Sequence, residues 1–144
     1  FRLEEPLQSK LAAYVTDIEA HPDTAASSVV LYDGPVRGVC SMAPNNVNTM
    51  ACLAIASGAE LGFDGCQCQL VADRSLKAHV IEVTIRGKPI AHRDDVFEVQ
   101  QRRYNPCDPF QVTASATYPS FVASLRKTAE LVRDSHAVRG VLFV

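Results

Sequence analysis

Val80-Ile81-Glu82-Val83-Thr84-Ile85-Arg86 alternates apolar and polar residues without a break. Side chains of an extended chain point to opposite faces with a period of two, so this stretch reads as a strand with one apolar face. Gly87-Lys88-Pro89 is expected to break it, since proline cannot donate to a ladder. Residues 96–104 resume extended character after that break, and residues 67–73 form another such segment before it. Strands grouped in this way, with tight-turn residues after Gly87, favour antiparallel pairing.

Upstream, Pro6 suits an early helical position, and Leu7, Leu11, Val15 and Ile18 then recur at helical spacing. His21-Pro22-Asp23 ends that helix, because the residue before proline is pushed out of the helical region. Residues 28–32 read as a strand closed by an Asp33-Gly34 turn, and residues 36–42 as a second extended segment. Pro44-Asn45-Asn46-Val47-Asn48-Thr49 reads as the start of a helix with an asparagine cap. Residues 50–56 are apolar all round, which predicts a helix buried on every side, and residues 58–65 read as its glycine-rich exit. Asn105-Pro106-Cys107-Asp108-Pro109 is expected to be a loop, and residues 119–133 a helix with Phe121, Val122, Leu125, Ala129 and Val132 on one stripe. Residues 141–144 read as a last strand or a free end. The expected fold is α+β: a mixed, mainly antiparallel sheet covered on one face by helices. Its other face then requires a second domain or a second copy of the chain.

At 144 residues, 47% apolar and 21% charged, the chain fits one ordinary globular domain. This composition excludes disorder and collagen-like architecture. A net charge of −2 argues against nucleic acid as the partner, and the longest apolar run, residues 50–56, is far too short to span a membrane. The chain opens on Phe1 with no signal-like segment, from which we expect a processed protein or a piece of a longer one. Five cysteines, an odd number scattered through apolar stretches, predict reduced, buried thiols and a cytoplasmic location. Cys66-Gln67-Cys68 has no second ligand pair and no nearby histidine, so no metal site is expected.

His79 opens the clearest strand, and histidine is the side chain most easily tuned to move protons near neutral pH. A strand-end histidine that is simply hydrogen-bonded is the other reading. Asp73 either orients His79 or a water, or ends its strand in a turn. Asn45, Asn46 and Asn48 cluster where a helix N-terminus would offer free N–H groups to an anion or a polarised carbonyl; capping accounts for one of them. Arg74, Arg86, Arg102 and Arg103 are candidates for a bidentate carboxylate contact. Gly58, Gly62 and Gly65 follow a helix, the wrong context for a dinucleotide fingerprint, and no such fingerprint or P-loop occurs in the chain.

Taken together, Val30-Leu31-Tyr32-Asp33-Gly34-Pro35-Val36-Arg37-Gly38, then Ala43-Pro44-Asn45-Asn46-Val47-Asn48, then Leu70-Val71-Ala72-Asp73 ahead of His79, then Asn105-Pro106, resemble the aspartate dehydrogenase family, its animal branch most closely. That resemblance implies an N-terminal Rossmann domain holding NAD or NADP, and a C-terminal α+β domain that holds substrate and forms a homodimer. Residues 1–144 match only the second, so the dinucleotide-binding half is expected outside this chain, and the piece alone is expected to be inactive. Carried over by position, His79 is the catalytic histidine, Asn46 and Asn48 face the nicotinamide, and Asp73 and Asn105 support the substrate. Members carry Asp-Pro where Asp73-Arg74 stands, and a Lys-Thr-Ser run where Cys107-Asp108-Pro109 stands.

The implied reaction oxidises L-aspartate to iminoaspartate and then oxaloacetate, within amino-acid metabolism and NAD biosynthesis. His79 would take a proton from the amine or from the attacking water. The substrate carboxylates need cations, for which Lys77 and the arginines are open choices. Two alternatives remain at this point: a dimerisation or ligand-sensing domain without turnover, and a dihydrodipicolinate-reductase-like oxidoreductase acting on another substrate.

Overall fold

The computed structural model describes residues 3–45, 47–89, 95–108 and 116–133. The fold is α+β, and all its strand pairing is antiparallel among the described residues. The strands do not join one sheet there; they form two separate two-stranded ladders. The chain divides accordingly into two compact units, residues 1–75 and 76–144.

In the first unit, α1 (Leu7–Ala20) begins directly after Pro6 and ends at His21, whose N–H caps Asp17 O at 2.8 Å. Its inner stripe is Leu7, Leu11, Tyr14 and Ile18, while Val15 of the expected stripe faces outward. Tyr14 takes the inner position because its hydroxyl reaches Ser27 O at 2.5 Å, which satisfies the polar tip of a buried ring. Strand β1 (Ser28–Pro35) pairs with β2 (Gln67–Asp73), from Ser28 opposite Asp73 to Pro35 opposite Gln67. The expected turn at Asp33-Gly34 is absent, because the ladder with β2 carries the strand through to Pro35. A register shift between Val30 and Tyr32 sends Leu31 into the core, where it is 2% exposed.

Residues 36–42, expected to be extended, are instead the helix α2 (Val36–Met42). Val36, Val39, Cys40 and Ala43 stand at i, i+3, i+4 and i+7, and three of them, Val36, Val39 and Ala43, are fully buried. Tyr32 fixes the strand-to-helix corner. Its hydroxyl donates to Pro35 O at 2.6 Å, and its ring end occupies the space a side chain on Gly38 would need. The helix α3 (Asn48–Ala56) follows, capped by Val47 and not by an asparagine. The expectation of burial on every side fails: Ala54 is buried, but Ile55 and Cys52 are exposed, because the helix covers the core from one side only. The expected glycine-rich exit is a helix, α4 (Gly58–Gly65), kinked at Gly62 where φ is 54°. Leu3, Leu7, Leu31, Val39, Ala43 and Val47 form the centre of this unit, with Met50, Leu70 and Ala72 packed against them.

In the second unit, β3 (Ala78–Pro89) and β4 (Val96–Pro106) form a long antiparallel ribbon. Gly87-Lys88-Pro89 shifts the register without ending the strand, and Asn105-Pro106 lies inside the ladder and not in a loop. The helix α5 (Thr117–Arg133) is the expected C-terminal helix. The thiols expected to be buried are free and none is buried: Cys52 is exposed, and Cys40, Cys66, Cys68 and Cys107 are half-buried. No helix among the described residues is long and apolar enough to cross a membrane. The expectation for residues 141–144 falls outside the described residues.

Candidate active site

The β3–β4 ladder sets His79 directly opposite Asn105. Opposed residues of an antiparallel pair share a face, with Cβ atoms about 4.5–5.5 Å apart. Counting by twos, that face continues through Ile81, Val83 and Ile85 on β3 and through Arg103, Gln101 and Val99 on β4. The opposite face is a row of polar pairs. Arg102 Nε donates to Glu82 at 3.0 Å, Arg86 Nε donates to Glu98 at 2.6 Å, and Gln100 Nε2 donates to Glu98 at 2.7 Å. Those two donors hold the Glu98 carboxyl below the usual carboxylate range, Arg86 most strongly. The ribbon therefore has one ionic face and one face carrying the histidine, an amide and aliphatic side chains.

Asn105 is 7% exposed, the buried polar residue of the described chain. Its Oδ1 accepts a hydrogen bond from Arg103 Nε at 2.9 Å, two residues back on the same face. Arg103 Nη2 reaches on to Ser120 Oγ at 3.3 Å, in the first turn of α5. The amide is thus oriented: its oxygen accepts from Arg103, and its NH2 group has no partner among the described residues. His79 is half-buried, and its ring has no hydrogen-bond partner among the described residues. Just past this rung, Cys107 N–H donates to Lys77 O at 3.2 Å and holds the two chain ends together. A half-buried imidazole beside an oriented amide is an arrangement suited to proton transfer on a bound polar substrate.

The other expected site residues lie in the first unit. Asp73 ends β2, and its Oδ1 accepts from both Ser75 N–H at 2.8 Å and Ser75 Oγ at 2.6 Å. Both bonds favour the carboxylate and hold its pKa below the usual range, the hydroxyl most strongly. Asn48 is the first residue of α3, exposed, with no side-chain partner among the described residues. The helix ladder there starts with Ala51 N–H on Val47 O at 2.8 Å, so the amides of residues 48–50 precede it and have no partner among the described residues. Asn46 lies outside the described residues.

These groups allow a test of fit to a nicotinamide cofactor. A carboxamide needs one donor and one acceptor, which the Asn48 side chain and the free amides beside it supply. The phosphates need a glycine cradle, and none is formed among the described residues. Gly58 and Gly62 have positive φ but face open space at the α3–α4 corner, where an added Cβ would meet nothing within 4 Å. The groups at the start of α3 would suit the carboxamide end of such a cofactor. Among the described residues, no group of three histidine, cysteine or acidic side chains is placed to hold a metal ion.

The sequence reading proposed Asn105 by resemblance and passed over Ser120. The resemblance alone pointed to the first, because the prolines after it suggest a loop where the ladder in fact continues. The link to Ser120 spans 17 residues and has no local signature.

Residues 5–126 match the family model described as aspartate dehydrogenase, C-terminal. The chain is 43% identical to an aspartate dehydrogenase domain-containing protein of Xenopus tropicalis over 109 residues, 75% of this chain and 38% of that protein. It is 46% identical to a protein of the same description from Danio rerio over 97 residues, 67% of this chain and 33% of that protein. An L-aspartate dehydrogenase of Methanococcoides burtonii is 27% identical over 85 residues, 59% of this chain and 30% of that protein. The chain thus spans about a third of the length of these curated relatives. No solved structure matches it. With the family model covering most of the chain, this protein belongs to the aspartate dehydrogenase family, an oxidoreductase family, and represents its C-terminal part.

Proposed function

We propose that residues 1–144 are the C-terminal catalytic and dimerisation domain of a cytoplasmic, NAD(P)-dependent L-aspartate dehydrogenase whose dinucleotide-binding domain lies elsewhere in a longer protein. The observation that carries this reading is the His79–Asn105 rung, an imidazole and an oriented amide on one face of a ribbon. An oxidised nicotinamide, held at its carboxamide by Asn46 and Asn48, would supply the hydride acceptor for the substrate Cα. His79 takes the proton that frees the amine lone pair, releases it to solvent, and is then free to take the proton of the water that adds to the resulting imine. Asn105 offers its NH2 group to a substrate oxygen, while Asn46 and Asn48 serve the nicotinamide carboxamide. Asp73 shapes the turn that precedes the ribbon.

The exposed apolar side chains Ile85, Phe97 and Val99 on the ribbon, and Phe121 and Leu125 on α5, support a homodimer, since isolated ribbons need a covering layer. The same surface favours a second reading, a domain kept for assembly without turnover, which Cys107-Asp108 in place of the family's Lys-Thr also supports. Full-length protein, assayed with L-aspartate and either NAD or NADP for appearance of the reduced nicotinamide, separates the two. Turnover that His79→Ala lowers by about 100-fold or more is expected. Its absence with both nucleotides would leave the assembly reading.

A further inference from the structure

The arginines of the ribbon differ in what neutralises them. Arg86 and Arg102 lie on the ionic face, each hydrogen-bonded to a cross-strand glutamate. In the first unit, Arg37 is held by both oxygens of Asp64, at 2.5 and 2.8 Å. Arg103 is built otherwise. It lies on the His79 face, diagonal to His79 across the ladder. Its partners are the neutral Asn105 Oδ1 and Ser120 Oγ, and it has no carboxylate partner among the described residues. Two of its five donors are used, on the side facing the scaffold. The guanidinium is therefore aimed and braced by neutral acceptors, with no carboxylate against it among the described residues.

We infer that Arg103 binds a carboxylate of the dicarboxylate substrate, with Asn105 and Ser120 as the residues that position it. A cation held by neutral acceptors keeps its full attraction for an anion, whereas one already paired with glutamate must first give up that partner. The planar fork also suits a carboxylate better than the Lys77 ammonium does. Alternation along the strand places Arg103 beside His79 and puts Arg102 on the far face, so the choice between these two neighbours follows from register. The identity of the dicarboxylate as L-aspartate rests on the dehydrogenase reading; the anion site itself does not.

The test uses full-length protein and two readouts. Steady-state kinetics with L-aspartate separates KM from kcat, and calorimetric titration with succinate measures binding of a dicarboxylate that has no amine to oxidise. Arg103→Ala is expected to raise KM by about 10–100-fold, the scale of one charge-assisted contact, and to weaken succinate binding equally. Arg103→Lys recovers part of the loss, and Arg102→Ala changes neither readout. Should Arg103→Ala fail to fold, the lysine variant decides by the same titration. Succinate binding that survives within twofold in the Arg103 variants would overturn the inference, and so would a wild-type protein that binds no succinate. Arg103-dependent succinate binding without any oxidation of aspartate would uphold this site and refute the dehydrogenase reading.

Discussion

Asn105 accepts from Arg103 Nε at 2.9 Å while standing directly across the ladder from His79. One buried amide thus faces the imidazole across the ladder, holds a cation and, through Arg103, links to the first turn of α5. Its position on the strand places it between the two, because residues two apart share a face.

Replacing Asn105 by alanine removes the acceptor of Arg103 Nε and empties a buried site. We expect a loss of about 1–3 kcal/mol in the stability of this unit, measured by denaturant unfolding. Unchanged stability would mean that Arg103 and Asn105 do not depend on each other.

His79→Gln keeps a polar side chain but cannot exchange a proton near neutrality. In the full-length protein kcat is expected to fall by about 100- to 10,000-fold with stability within ~0.5 kcal/mol of wild type. A variant that keeps wild-type turnover would remove the catalytic role from His79.

Gly38→Ala drives a methyl group into the Tyr32 hydroxyl end. The chain around it is the β1–α2 corner, held by Tyr32 OH on Pro35 O, so little can yield. A destabilisation of about 1–3 kcal/mol is expected. Tyr32→Phe should recover part of it in the double variant, because the oxygen is the closest atom, and a double-mutant cycle measures the coupling.

Ser75→Ala removes both the hydroxyl donor to Asp73 and a constraint on the turn. The Asp73 carboxyl should then titrate closer to the usual aspartate range, read by carbon NMR of the side chain. Because its folded pKa lies below the unfolded one, its contribution to stability is complete above the unfolded value. That contribution fades as pH falls through the folded value. The variant should therefore show less loss of stability on acidification than wild type.

Alkylation should separate the thiols. Cys52 is exposed, whereas burial pushes the Cys68 thiol up, with Cys40, Asp33 and Cys66 nearby adding to the rise. Iodoacetamide is expected to label Cys52 first and Cys68 later, followed by mass spectrometry under native conditions. Equal rates would contradict the packing of β2 against the core.

Much of the secondary structure was legible. The alternation in residues 80–86 predicted β3, and the helical spacing from Leu7 predicted α1 with its end at His21. Residues 36–42 suggest an extended segment although Val36, Val39, Cys40 and Ala43 carry the helical period, because β-branched residues after a strand favour continuation. The apolar helix at residues 50–56 shows the opposite limit. Its pattern states that it can be buried all round, and what covers it depends on surfaces remote in sequence. His79 stood out from residue type and place, and Asn105 from resemblance; neither the pairing of the two nor the bracing of Arg103 had a local sign.

The alternation of side chains along β3 and β4 is a property of the backbone, so the division of the ribbon into two faces was already written in the order of residues. Which arginine keeps its charge is a property of partners. Glu82 lies 20 residues from Arg102 and Ser120 lies 17 from Arg103, and no local pattern relates either pair. Pairing register and the placement of α5 made that assignment, because a charge is neutralised by what folding brings within hydrogen-bond distance.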